Sequence, residues 1–261
     1  MQFSEILASM AQDGETWHAE VSDSWLQGRS IFGGLQAALL LRTMRSSLPA
    51  PAPLRVFQTT FVAPVPAGRV RARARVLRVG KSATQIEARL VDGGDTLALA
   101  VGIFGAARSS KVHVMPKRPH EPRGESFEIP FIEGLTPRFL QHFHMRWLEG
   151  SPLYTGDPTT TAVIAVGLKD SGTATEEHVL AIADAPPPLA LSFLTAPAPG
   201  SSMSWTLEML TESVNALPLR DYRLDAELVA ANGGYTSQSV TIWSPRGEPI
   251  ALSRQSMVVF G

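Results

Sequence analysis

The sequence contains no cysteine, and this absence limits the chemistry open to the chain. Disulfides, thiolate metal sites and a cysteine nucleophile are all excluded. Basic and acidic residues nearly cancel, at 23 and 24, so the chain lacks the positive excess of proteins that hold nucleic acid through bulk charge. No apolar run approaches the roughly 20 residues that a membrane-spanning helix needs.

Several short signatures are missing as well. The first residues carry no basic leader and include Glu5, which is unlike a signal peptide, so we expect a cytoplasmic protein without a membrane span. No Gly-x-Ser-x-Gly elbow, phosphate loop or dinucleotide fingerprint occurs, which disfavours a serine hydrolase of the α/β-hydrolase kind. The 261 residues suffice for one large domain or two modest ones.

A run of strand patterns follows the first quarter of the chain. Residues 69–79 predict a strand, in which 69–76 alternate arginine with Val or Ala, the period-2 pattern of a strand with one buried face. Residues 82–91 and 96–105 continue as strands, and Asp-Gly-Gly-Asp at 92–95 predicts a hairpin turn between them. These residues therefore predict an antiparallel meander.

The same order of strand, turn and strand occurs again 153 positions later. At that shift Gly80 falls on Gly233 and Gln85 falls on Gln238, without a gap in between. Identities are few, but a period this long predicts two copies of one domain and not a solenoid of short repeats.

Residues 29–49 predict a helix that has no clear polar face. Almost every side chain from Leu35 to Leu41 is apolar, and Gly33 and Gly34 stand where a Ser or Asp cap is usual. Such a helix must be buried on all sides, and an antiparallel sheet curled around one central helix achieves this. The predicted fold is α+β, a double hotdog of two tandem domains.

We expect the N-terminal hotdog at residues 1–107 and the C-terminal hotdog at 136–261. A segment rich in proline and charge, 108–135, is the predicted linker. In the second copy we expect the central helix after Asp184, shortened by the three prolines at 186–188.

Four stretches of the sequence resemble one enzyme family over most of the chain. They are "FGGLQAALLL" (32–41), "FQTTFVAPVPAG" (57–68), "AIADAPPPLALSFL" (181–194) and "GEPIALSRQSMVVF" (247–260). Together they resemble the double-hotdog acyl-CoA thioesterases, the type-II bacterial and peroxisomal class. The resemblance implies hydrolysis of an acyl-CoA to free fatty acid and CoA, without covalent intermediate, metal or other cofactor.

The resemblance also implies the site residues. The water-orienting Asp, hydroxyl and Gln of the family fall on Asp184, Thr206 and Gln255. A carboxylate can take a proton from water while a hydroxyl and an amide fix its orientation. The bare helix start at Gly33 and Gly34 is a candidate for binding substrate through backbone N–H groups.

Other interpretations of these residues remain open at this stage. Asp184 fits an N-cap of a short helix, Gln255 a structural hydrogen bond, and Thr206 an ordinary strand position. The chain also departs from the family, since it has no histidine before the first long strand. Two rival functions follow: a non-catalytic acyl-binding hotdog protein, and a hotdog enoyl-CoA hydratase or dehydratase.

The expected partners follow from the same resemblance. They are an acyl-CoA or acyl-carrier substrate and further copies of the chain, as a homo-oligomer such as a dimer of double hotdogs. Nucleic acid is not an expected partner. Open strand edges favour the self-association.

Overall fold

The computed structural model describes residues 1–117 and 119–260; Arg118 in the predicted linker and Gly261 at the end of the predicted C-terminal hotdog lie outside it. Within the described residues the α-helices are α1 (Phe3–Ala8), α2 (Gly33–Ser46) and α3 (Glu176–Asp184). The first strands are β1 (Ala11–Asp13), β2 (Thr16–Val21), β3 (Leu26–Gln27), β4 (Ser30–Ile31), β5 (Leu54–Phe61), β6 (Gly68–Val79), β7 (Thr84–Asp92) and β8 (Asp95–Phe104). The later strands are β9 (Phe127–Glu128), β10 (Phe143–Glu149), β11 (Thr161–Leu168), β12 (Gly200–Met209), β13 (Tyr222–Asn232), β14 (Tyr235–Trp243) and β15 (Pro249–Val259).

One antiparallel sheet of 13 strands organises the molecule, in the order β1-β2-β6-β7-β8-β5-β12-β15-β14-β13-β11-β10-β9. Its centre is the β5–β12 pair, which joins the first half of the chain to the second. Outward from this pair, β5-β8-β7-β6 on one side matches β12-β15-β14-β13 on the other. The predicted duplication and the double-hotdog fold are confirmed.

Helix α2 is the core of the first half. Every residue from Leu35 to Leu41 is buried, and the helix packs on β6, β7, β8 and α3. Its missing polar face is thereby explained, since no side of these two turns meets water. The predicted turn at 92–95 is also confirmed, with Asp92 paired to Asp95 and Gly93 at a φ of 56°.

The second helix lies before Asp184 and not after it, so the sequence-based expectation was wrong. Helix α3 begins behind a capping box formed by Thr175 and His178, and Asp184 is its last residue. Residues 179–183 are apolar and buried on all sides, so they have no helical period that separates them from a strand. Asp184 is therefore not an N-cap; the prolines that follow it end the helix.

Helices α2 and α3 run antiparallel to each other. At one end of the pair, the start of α2 lies against Asp184 at the end of α3. At the other end, Arg45 near the end of α2 forms an ion pair with Glu176 at the start of α3. Glu176 also accepts a hydrogen bond from the Leu54 N–H at 2.8 Å. The two ends of the helix pair thus have different chemistry.

The predicted division at 1–107, 108–135 and 136–261 stays a prediction. The short strand β9 lies inside the predicted linker, where it pairs with β10. None of the helices in the described part of the chain is long and apolar enough to cross a membrane.

Candidate active site

A cavity of about 220 Å³ opens between the two halves of the chain, at the start of α2. The first half contributes the loop before α2, Gly33 and the segment 61–64 at the end of β5. The second half contributes Asp184 and the segment 200–202 at the start of β12. Neither half forms the cavity alone, so the lining of the cavity depends on the β5–β12 junction.

Asp184 and Gln255 meet in this region, as the sequence predicts. Gln255, buried on β15, donates a hydrogen bond from Nε2 to Oδ1 of Asp184 at 2.6 Å. The same Nε2 lies 3.0 Å from Oγ of Ser202. One amide group therefore holds a carboxylate and a hydroxyl side by side, and the side chain of Ser202 lines the cavity.

Thr206 does not join this cluster, which corrects the expectation from the sequence. It pairs with Gln58 and Arg254, and it lines a groove on the outer face of the sheet. Its neighbours Trp205 and Leu207 are buried on the inner face, to which Gln255 also points. The sheet itself thus separates Thr206 from Asp184.

The hydroxyl of Ser202 lies beside Gln255 because β12 contains a bulge. The pairing of β12 with β15 shifts register between Ser202 and Ser204, so one extra residue interrupts the alternation of faces. Without the bulge, Ser202 would share the outer face with Ser204 and Thr206. We recognise no signal in the sequence that marks this bulge, so the sequence did not predict the position of Ser202 beside Gln255.

The carboxylate of Asp184 lies at the bare start of α2. A Cβ added to Gly33 would come within 2.7 Å of Oδ2 of Asp184, so glycine is needed for this approach. The N–H of Gly34 faces the same carboxylate. Asp184 therefore fulfils the role of the missing N-cap from another helix, and its negative charge suits the positive end of the α2 dipole.

Gly34 brings the two helices together. An added Cβ there would lie 2.9 Å from Cα of Ala181 and 2.6 Å from the ring of Phe32. The backbones of α2 and α3 consequently approach closely at this point. This contact sets the position of Asp184, which follows Ala181 by less than one turn.

Burial raises the pKa of Asp184 to about 7, although the hydrogen bond from Gln255 and the N–H of Gly34 both lower it. The side chain remains partly exposed through the cavity. A carboxyl group with a pKa near neutrality can take up and release a proton at the pH of most cells. It is a candidate general base.

Gln36, which follows the two glycines, fixes one wall of the cavity. Only 4% of Gln36 is exposed, and its Nε2 donates to the Ile31 carbonyl at 2.7 Å and to Oγ of Ser30 at 3.2 Å. Ser30 in turn accepts a hydrogen bond from the N–H of Val65 at 3.0 Å. Gln36 thus ties the loop before α2 to the chain beyond β5.

Metal ligands are not clustered in the described residues. Within 1–117 and 119–260, no three His, Asp or Glu side chains are placed to hold a metal ion.

Two family models match the chain and cover most of it. The acyl-CoA thioesterase N-terminal domain matches residues 21–105, and the acyl-CoA thioesterase C-terminal domain matches residues 115–259. A comparison with curated proteins gives no match.

Solved structures with similar folds include a protein of unknown function, a tesB protein and a dehydratase domain. A conserved protein of unknown function with a hot dog fold from Alicyclobacillus acidocaldarius has a TM-score of 0.87 at 20% identity, over 99% of this chain and 98% of that one. The tesB protein of Mycobacterium avium subsp. paratuberculosis has a TM-score of 0.77 at 15% identity, over 100% of both chains. The dehydratase domain of RzxB from Pseudomonas fluorescens has a TM-score of 0.60 at 10% identity, over 100% of both chains. At these identities the likeness concerns the fold.

Proposed function

We propose, from the premise that this chain belongs to the acyl-CoA thioesterase family, that Asp184, Gln255 and Ser202 hydrolyse an acyl-CoA thioester. The observation that carries the proposal is the hydrogen-bonded cluster of these three side chains beside the cavity. It replaces Thr206 of the sequence-based assignment by Ser202. The products are a free fatty acid and CoA.

In the proposed reaction, a water molecule attacks the thioester carbonyl carbon while Asp184 takes one of its protons. Ser202 orients this water, because its oxygen already accepts from Gln255 and its O–H is free to turn toward a lone pair. The carbonyl π electrons move onto oxygen as the C–O bond forms. The tetrahedral intermediate then collapses, the C–S bond breaks, and the CoA thiolate receives the proton from Asp184.

The negative oxygen of the intermediate needs a hydrogen-bond donor. The first N–H groups of a helix have no intrahelical acceptor, and Gly33 is the first residue of α2. We assign its N–H to this oxygen, with the helix dipole adding to the stabilisation. The N–H of Gly34 faces Asp184 instead, so it holds the base and not the substrate.

The lining of the cavity disfavours a hydratase or dehydratase. Such hotdog enzymes use a histidine as acid and base, and no histidine lines this cavity in the described part of the chain. The rival of a non-catalytic acyl-binding protein is disfavoured by Asp184, since a carboxyl group with a raised pKa beside a cavity is typical of catalytic sites.

The proposed substrate is an acyl-CoA. Arg29 is exposed at the mouth of the cavity, where its guanidinium can reach a phosphate of CoA. A cytoplasmic location stays an expectation from the sequence.

The proposal is tested by release of free thiol from acyl-CoAs of increasing chain length, measured between pH 5 and 9. We expect activity to rise with pH and to level off above about pH 8, because Asp184 must be ionised to accept a proton. With a pKa of about 7, the rate at pH 6 is about a tenth of the plateau. No thiol release at any chain length supports the acyl-binding protein; a rate that falls from pH 6 to pH 8 contradicts Asp184 as the base.

Replacing Ser202 and Thr206 in turn distinguishes between the two hydroxyl groups that are candidates for orienting the water. We expect Ser202→Ala to lower kcat by about 3- to 10-fold, the loss of one hydrogen bond to the attacking water. Thr206→Val, on the opposite face of the sheet, serves as the matched control and keeps the wild-type kcat. A lower kcat in Thr206→Val together with a wild-type kcat in Ser202→Ala would instead support Thr206, the residue assigned from the sequence.

A further inference from the structure

The cavity beside Asp184 is small for a site that takes an acyl-CoA. Its volume of about 220 Å³ lies below the roughly 300–1,000 Å³ of pockets that hold drug-sized ligands. At about 30 Å³ for a group the size of a water molecule, it has room for roughly seven such groups. The attacking water and the carbon, oxygen and sulfur of the thioester take up about four of them, so about three further carbon atoms of the acyl group fit.

Two glycines show that the cavity is closed at the contact between the helices. A Cβ added to Gly34 would lie 2.9 Å from Cα of Ala181, so α2 and α3 approach too closely there for a methyl group. On the cavity side, a Cβ added to Gly33 would lie 2.7 Å from Oδ2 of Asp184 and 3.1 Å from the ring of Phe61. A contact too tight for one methyl group cannot admit a hydrocarbon chain, because packed interiors yield little.

The inner wall of the cavity offers little apolar surface. Of the lining residues that are not exposed, Ile31 and Phe61 have large apolar side chains. The others are Gly33 and the polar or charged residues Ser30, Gln36, Asp184 and Ser202. A methylene group gains free energy where it leaves water for apolar surface. A short acyl group placed against Ile31 and Phe61 therefore uses the apolar surface that the interior provides.

The mouth of the cavity gives a longer chain no better environment. Val62 lines this opening with 58% of its surface exposed, and Arg29 at the same opening is proposed to contact CoA. A chain turned outward would share the opening with CoA and remain in water. It would gain little from each additional carbon.

We infer that the substrate carries a short acyl group, of about four carbons or fewer, and that Phe61 sets this limit. The inference rests on the proposed hydrolysis at Asp184. The ring of Phe61 lies next to Gly33, whose N–H is assigned to the oxygen of the intermediate, and Phe61 also packs against the hydrophobic core. It therefore stands between the reacting carbonyl and the core, where a longer chain would have to pass.

Release of free thiol from acetyl-, butanoyl- and decanoyl-CoA tests the size limit. We expect kcat/KM to rise about fourfold for each methylene group up to butanoyl-CoA, the usual gain for burying such a group. Decanoyl-CoA should react at least tenfold less efficiently than butanoyl-CoA, because a chain without room displaces the carbonyl from Asp184, and a shift of about 1 Å costs about 10²-fold. A kcat/KM for decanoyl-CoA that lies within tenfold of the value for butanoyl-CoA, or above it, overturns the inference.

Binding measurements separate the size limit from the reaction. No thiol release from any of the three substrates contradicts the proposed hydrolysis, and calorimetric Kd values of the same acyl-CoAs with Asp184→Asn then decide the limit. We expect Kd to fall about fourfold per methylene group from acetyl- to butanoyl-CoA, and decanoyl-CoA to bind no more tightly than butanoyl-CoA. Tighter binding of decanoyl-CoA overturns the limit even if the protein does not hydrolyse it.

Replacing Phe61 tests its role in setting the limit. Phe61→Ala removes the ring and leaves room for methylene groups against the core, so we expect the ratio of kcat/KM for decanoyl-CoA to that for butanoyl-CoA to rise at least tenfold. The ratio is taken within one protein, so a partly unfolded preparation does not change it. Phe127→Ala, at a 40% exposed residue of β9 that does not line the cavity, serves as the matched control and keeps the wild-type ratio. A wild-type ratio in Phe61→Ala overturns the assignment of Phe61.

Discussion

Asp184→Asn is expected to lower the rate of thiol release by about 10²- to 10⁴-fold, the usual contribution of a positioned general base. The asparagine keeps the shape of the side chain and can still accept a hydrogen bond from Gln255. It cannot take a proton from water at any pH used. The rise of activity through pH 7 should disappear together with the rate.

The same variant is expected to be more stable than the wild type at high pH. The pKa of Asp184 is raised in the folded chain, so ionisation costs folding free energy between its unfolded value near 4 and its folded value of about 7. This cost is absent below about pH 4 and complete above about pH 7. Asp184→Asn should therefore raise Tm at pH 8, by about 2–4 °C per kcal/mol recovered, and change it little at pH 4.

Asp95→Asn serves as the control for both measurements. Asp95 is an exposed carboxylate at the start of β8, and it is not among the residues that line the cavity. We expect wild-type activity and a wild-type stability profile from it. If Asp184→Asn keeps a tenth or more of the activity, the base lies elsewhere.

Gly33→Ala is expected to have the second largest effect. The added methyl group would lie 2.7 Å from Oδ2 of Asp184 and 3.1 Å from the ring of Phe61, so the carboxylate must move. A shift of the order of 1 Å in a catalytic group costs about 10²-fold in rate. We expect kcat to fall by about that factor, and Tm to drop by a few degrees, because overpacking costs about 1–3 kcal/mol.

Gly94→Ala is the matched glycine substitution. An added Cβ at Gly94 meets no atom within 4 Å, and the residue lies on the surface at the hairpin turn. Thiol release by Gly94→Ala should equal that of the wild type. An equally active Gly33→Ala contradicts the close approach of Asp184 to the start of α2.

Regular alternation and repetition made the fold predictable from the sequence. The strands β6 to β8 have period-2 patterns, and a hairpin turn precedes β8. The same order of strand, turn and strand recurs 153 positions later, so the strand register and the duplication could both be predicted. The apolar circumference of α2 indicated burial on all sides. Helix α3 was misplaced because complete burial removed the period that distinguishes a short helix from a strand.

The part of the candidate site that can be recognised from residue types was predictable, and the part that depends on an irregularity of the backbone was not. Asp184 and Gln255 were predicted from the family resemblance, and the structure brings their side chains within hydrogen-bond distance. Ser202 was not predicted, because one extra residue in β12 reverses the direction of every side chain before it. The presence of a serine in a strand does not indicate such a register shift.

The ion pair between Arg45 and Glu176 has a consequence for the number of substrates. A symmetric pair of hotdogs has two equivalent helix ends, yet here one end holds Asp184 in a cavity and the other is filled by a charged pair. Glu176 already accepts from Arg45 and from the Leu54 N–H, so its carboxylate is committed to holding the halves together. We therefore expect one molecule of acyl-CoA to bind to each chain, at the end that holds Asp184, while the ion pair at the opposite end joins the two halves.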